Sequence, residues 1–127
     1  DLTVSAWVRP SNLTGIRFIL SKLYLGEFEL GTNNDGLIWR HGNGSTYSGP
    51  QWTSFFSEGT DTWYHVVVVR TTSNTTLSVY KNGQSFGTPQ TYSVTPTAST
   101  NSLYIGSRSG GSFYFNGQID DVQIYNY

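Results

Sequence analysis

The chain closes on the run Phe115-Asn-Gly-Gln-Ile-Asp-Asp-Val-Gln-Ile-Tyr-Asn-Tyr127. An Asn116-Gly117 turn opens it, and the residues then alternate in character. Ile119, Asp121, Gln123 and Tyr125 share one parity; Gln118, Asp120, Val122, Ile124 and Asn126 follow the other, with one slip. Such alternation predicts a β-strand. Two adjacent carboxylates sit in its middle, although Asp is depleted in strands. A backbone hydrogen-bonding role, an edge position or a bound cation would each make Asp120-Asp121 tolerable there.

Working outward from this strand, short β-rich runs recur between turn clusters. They cover residues 2–8, 16–22, 24–30, 37–40, 51–56, 63–70, 76–81, 84–92 and 102–106. Trp63-Tyr-His-Val-Val-Val-Val-Arg70 is the strongest, and its continuous valines suit a central strand. Asn82-Gly83 lies between two such runs and predicts a hairpin with a type I′ turn. No stretch carries apolar residues at helical spacing for more than a turn or two. Nine or ten short strands at regular intervals predict an all-β sandwich of two antiparallel sheets.

Composition narrows the function. The 127 residues suit one domain, spanning 1–127. A net charge of −1, with seven Lys and Arg scattered along the chain, gives no footprint for nucleic acid. The longest apolar run, Val66–Val69, is far too short for a helical span, so membrane insertion is not expected. The absence of cysteine removes thiolate metal sites and a thiol nucleophile.

Several segments, in order, resemble laminin-G-like modules of the concanavalin A-like lectin/glucanase superfamily. They are Thr3-Val-Ser-Ala-Trp-Val-Arg-Pro10, Ile19-Leu-Ser-Lys22, Glu27-Phe-Glu-Leu30, Trp63–Val69, Leu77-Ser-Val-Tyr-Lys-Asn-Gly83, Leu103-Tyr-Ile-Gly106 and the closing run to Asn126. The resemblance implies a concanavalin A-like jelly roll with its first and last strands adjacent. It also implies that the chain is trimmed at both ends, with a strand missing before Thr3. The final strand would then be a seam covered by a neighbouring domain or another copy. Trp7, Trp63, Phe18, Tyr80 and Tyr104 fall in family strands and are expected to be structural.

The superfamily's glucanases use carboxylates along one strand, and a retaining pair stands about 5–5.5 Å apart. Glu27 and Glu29 alternate onto one face at roughly 7 Å by strand rise, with no third acid following. Phe28 and Leu30 are expected inside and both Glu residues in solvent. No catalytic residue is expected, and the protein is read as a non-enzyme. His65 reads as a sheet histidine, and His41, opening a Gly-rich loop, as exposed.

Aromatics outside the family strands are Tyr24, Trp39, Tyr47, Trp52, Phe55, Phe56, Tyr92 and Tyr114. The stretch from Trp39 to Phe56 mixes such rings with Arg40, Asn43 and Gln51. Apolar walls with a few oriented polar groups suit an uncharged ligand. Trp39, Arg40, Tyr47 and Trp52 are therefore the candidate ligand-binding residues, for a glycan or polysaccharide, with core packing as the competing role for the two tryptophans. Jelly-roll modules of this kind often hold structural calcium near an Asp of the closing strand. Asp120 and Asp121 are the candidate Ca2+ ligands, with Asp1 as a possible contributor to the shell. The expected function is a non-catalytic carbohydrate-binding module of a larger secreted or cell-surface protein. The alternative is an adhesive module making protein–protein contacts in a fibre or repeat array.

Overall fold

The computed structural model describes residues 1–109 and 111–127. Among these, all regular structure is strand. The elements are β1 (Leu2–Pro10), β2 (Ile16–Ser21), β3 (Glu29–Asn33), β4 (Gly36–Gly42), β5 (Tyr47–Ser48), β6 (Gln51–Trp52), β7 (Tyr64–Thr71), β8 (Thr76–Lys81), β9 (Gln84–Ser85), β10 (Gln90–Thr91), β11 (Tyr104–Ile105) and β12 (Gly117–Tyr125). They form two six-stranded sheets. The first runs β10-β8-β7-β1-β12, with β9 beside β8; the second runs β11-β2-β3-β4-β5, with β6 beside β4. All pairings between named strands are antiparallel. This is the two-sheet sandwich the spacing of strands predicts, and β1 lies against β12 as the jelly roll requires.

Period-two alternation builds the core. Val4, Ala6 and Val8 of β1, Tyr64, Val66 and Val68 of β7, and Leu77 and Val79 of β8 project inward from the first sheet. They meet Leu30, Leu37 and Trp39 of the second. Full burial of a large aliphatic or aromatic side chain contributes about 1.5–3 kcal/mol, so these layers carry the fold. The same parity corrects several expectations. Trp7 lies between inward Ala6 and Val8, so it points out, 39% exposed, with its ring centroid 4.9 Å from that of His65. Trp63 precedes inward Tyr64 and is 41% exposed. Val67 and Val69 are only half-buried, so β7 is fully covered on one face alone. Phe55, Phe56 and Tyr92, outside the family strands, are core residues.

Turn chemistry sets the ends of the strands. Asn82 and Gly83 both have positive φ, and Lys81 pairs with Gln84 across them, the predicted hairpin. Residues 22–28 form a loop rather than the start of a strand, and β3 instead runs on to Asn33. Asn34, at φ 50°, and Asp35 make the turn into β4.

His41 is buried rather than exposed, because β4 continues through it to Gly42. The indole N–H of Trp39 donates to its Nδ1 at 2.8 Å, and its Nε2 lies 2.9 Å from the Val94 carbonyl. Nδ1 is therefore an acceptor and Nε2 carries the proton. Burial pushes this imidazole down to about 4, with the charge of Arg70 adding to the effect and the Val94 bond opposing it. Between that value and the ordinary 6.5, the unfolded chain binds the proton and the folded chain does not. Stability is thus fully present above pH 6.5 and is lost as pH falls toward 4, by about 3 kcal/mol. Urea unfolding at pH 7.5 and at pH 4 measures this. A His41→Gln variant should flatten the dependence in that window; an unchanged slope in the variant would exclude His41 as its source.

Candidate functional site

The site grows from the outward face of the second sheet. Trp39 and Arg40 are adjacent in β4, so they project to opposite sides. Trp39 is wholly buried, its ring stacked on Phe28 at 5.4 Å. Arg40 points outward, paired across the sheet with Glu29 of β3. Trp52 pairs with Leu37 through β6 and is 4% exposed. Trp39 and Trp52 are core residues with no surface to offer a ligand, which corrects their assignment as binding residues. The Gly-rich sequence after His41 hid the continuity of β4. Arg40 and Tyr47 do come together: the Arg40 guanidinium carbon stands 5.8 Å from the Tyr47 ring centroid, and Tyr47 is 48% exposed.

The floor beneath them is Phe18. A bulge between Phe18 and Leu20 in β2 turns Ile19 and Leu20 to the core while Phe18 faces Gly31. A Cβ on Gly31 would stand 2.8 Å from Phe18 Cδ1 and 2.3 Å from the Arg17 carbonyl. Only glycine lets this ring lie so close to the strand. Arg40 lies 5.8 Å from the Phe18 centroid, and Arg108 lies 4.5 Å from it. Arg108 also stands 5.0 Å from Tyr24 and 4.8 Å from Phe113. Tyr24 meets Tyr47 edge to face at 5.1 Å. Tyr24, Tyr47 and Phe113 thus surround two guanidinium groups on one sheet face.

One of those guanidinium groups is committed and the other is not. Arg108 donates through Nε and Nη2 to the two Glu29 oxygens at 2.9 and 2.8 Å. Ser21 donates its hydroxyl to the same carboxylate at 3.0 Å. Glu29 is fully buried, not solvent-facing as its alternation suggests, because Arg108 closes over it. Arg40 forms no ion pair and no side-chain hydrogen bond among the described residues, so its five donors remain open to a ligand. Tyr24 belongs with Tyr47 in this cluster, but Arg108 and Phe113 lie far along the chain and carried no local signal of a site. Glu27 lies in the loop before β3 and pairs with Lys22 at 2.6 Å.

Asp120 and Asp121 are exposed on β12, which pairs with β1 alone among the described strands. A bulge falls here: Ser5 faces Gln123 and Trp7 faces Asp120, so β12 carries one extra residue. Asp121 takes φ 49°, a conformation Asp adopts more readily than most residues. The bulge is the slip in the alternation. It lets Ile119 and Ile124, of opposite parity, lie opposite inward Val8 and Val4. The Asp120 carboxylate accepts the Asp121 N–H at 2.8 Å, and Gln123 Nε2 donates to Asp121 at 3.0 Å. Edge position and backbone bonding therefore account for both acids.

Calcium takes six to eight oxygen ligands. Among the described residues no group of three or more His, Asp or Glu gathers to hold a metal. Asp1 accepts hydrogen bonds from Thr72 N and Oγ1, and it lies six residues from Trp7, the partner of Asp120, roughly 20 Å along the strand. At Asp120-Asp121 the described carboxylates alone supply fewer oxygens than a calcium shell takes.

Known structures place this architecture. The CBM40 module of the Ruminococcus gnavus IT-sialidase superposes with TM-score 0.75 at 16% identity, covering 98% of this chain and 74% of that one. The same module bound to α2,6 sialyllactose gives TM-score 0.73 at 17% identity, with 98% and 75% covered. The botulinum neurotoxin serotype D binding domain gives 0.68 at 15% identity, and this chain spans 33% of its length. At these identities the likeness is one of fold. Among curated proteins, none matches the sequence. A laminin-G-type family model, described as the concanavalin A-like lectin/glucanases superfamily, matches residues 1–127. The chain belongs to that superfamily.

Proposed function

We propose that this domain is a non-catalytic carbohydrate-binding module that holds glycans on the outward face of its second sheet. The observation that carries the reading is the uncommitted Arg40 guanidinium beside exposed Tyr47, over the Phe18 floor. A sugar's apolar face stacks on the tyrosine, and its hydroxyl or carboxylate oxygens accept from the arginine. Arg108 stiffens the neighbouring rings without being spent on the ligand. The sialyllactose-bound module of like fold supports the ligand class. Glu27 and Glu29, the one closely spaced glutamate pair, are tied to Lys22 and to Arg108, which supports binding without cleavage. Such a module would serve a larger secreted or cell-surface protein.

A glycan array that includes sialyllactose tests the proposal. Tyr47→Ala and Arg40→Ala should each weaken the best-bound glycan about tenfold, a change of about 1.4 kcal/mol, with little loss of stability. An intact domain that binds no glycan would remove the reading. The adhesive alternative rests on the other flank, where Ile124 and Tyr127 stand exposed along β12 and its end. The denser aromatic cluster on the second sheet favours the glycan.

A further inference from the structure

A cavity of about 440 Å³ opens at one end of the sandwich, between the two sheets. Leu2, Phe28, Leu103 and Ile124 wall it, and exposed Ala98 lies on its rim. Arg70 projects into it from the inward face of β7 and is 9% exposed. Its Nη1 donates to the Glu27 backbone carbonyl at 2.9 Å, and its guanidinium carbon lies 6.0 Å from the Trp39 ring centroid. Its Nε is buried with no acceptor. No carboxylate lies within ion-pair distance among the described residues.

The carboxylate nearest in the cavity, that of Glu27, is occupied. Lys22 holds it at 2.6 Å and the Ser99 N–H donates to it at 3.1 Å. Burial would raise this carboxyl, but Lys22, the Ser99 amide and the charge of Arg70 outweigh that and keep it below its ordinary range. Lys22 and Glu27 cancel, so one positive charge in the cavity is unmatched. A buried charge without a counter-ion is costly. The cavity size is that of a small-molecule site, and its walls are mainly apolar, with Lys22 and Glu27 paired to each other and the Arg70 charge left over.

We propose that this cavity is a ligand site separate from the glycan face, and that it takes a small monocarboxylate with an aliphatic or aromatic body. The carboxylate would sit against the Arg70 guanidinium, in the bidentate geometry that arginine favours. The body would lie on Leu2, Phe28, Leu103 and Ile124.

Titration of the intact domain with sodium octanoate, followed at the Arg70 Nε–Hε resonance, tests this. The expected result is a saturable shift with a dissociation constant below about 1 mM. Octan-1-ol, with the same chain and no charge, should bind at least tenfold more weakly. Glucuronate, with the charge and no apolar body, should leave the resonance in place. Arg70→Gln should lose octanoate binding. Because that residue is buried, Ala98→Phe provides a second variant, which fills the cavity from its exposed rim; it too should lose octanoate binding while glycan binding persists. Octanol binding as tightly as octanoate would overturn the proposal. So would a glucuronate shift equal to that of octanoate, the absence of a saturable shift, or octanoate binding unchanged by Ala98→Phe.

Discussion

Trp39→Ala should cost about 3–5 kcal/mol of stability, the range for truncating a buried large aromatic. Three interactions go with the ring. Phe28 loses a partner stacked at an interplanar angle of 10°. His41 Nδ1 loses its donor, and an acceptor left unsatisfied inside costs about 1–3 kcal/mol more. Arg70 loses the aromatic face nearest its buried charge. Single domains commonly hold only about 5–15 kcal/mol in total, so the variant should be close to unfolding at room temperature. Trp39→Phe separates the causes. It keeps most of the apolar volume and removes the N–H, so it should fall between wild type and alanine. Urea denaturation of the three proteins measures the series. A loss below about 1 kcal/mol for alanine would mean that the ring is not the centre of this core, and a surface role for Trp39 would return.

Arg108→Met should be comparably damaging, by about 3–5 kcal/mol, because it strands a buried carboxylate. Methionine keeps an apolar stem over Phe18 and removes both donors to Glu29. Among the described residues, the Ser21 hydroxyl is then the one remaining side-chain donor to that carboxylate. Removing both partners of a buried pair is far gentler than removing one. The double variant Glu29→Gln/Arg108→Met should therefore recover much of the loss. A single variant within about 0.5 kcal/mol of wild type would show that the pair is not closed in solution. The ion pair also holds Arg108 among Tyr24, Phe18 and Phe113, so the single variant should weaken glycan binding beyond its effect on the folded fraction.

Local features carried the architecture. Alternation in residues 2–10 and 64–71, and the Asn82-Gly83 turn, are properties of a few neighbouring residues, and the sandwich follows from them. The slip in the closing strand was also visible, though not its form as a bulge. The site was less legible because its parts meet across the sheet. Glu29 and Arg108 are 79 residues apart, and nothing near either one announces the other. Trp39 and Arg40 were grouped because they are neighbours in sequence, yet a strand sends neighbours to opposite faces. His41 looked exposed from the glycines that follow it; its burial depends on Val94, 53 residues later. The expected strand over residues 37–40 already held both Trp39 and Arg40, and its alternation separates them; what the turn-rich composition after residue 41 hid was the continuation of β4 through His41 to Gly42.

A strand with a bare side is a template on which other chains can add, and unguarded edges of this kind seed aggregates. β12 has such a side. A second copy laid antiparallel and centred on residue 121 would set carboxylate against carboxylate, and like charges directly opposite each other are destabilising. The positive φ at Asp121 kinks the backbone there, so a flat incoming strand cannot match its hydrogen-bonding groups along the whole length. The awkward pair of acids thus acts as a gatekeeper. It makes stacking of β12 on its own copies an unfavourable way for these molecules to associate.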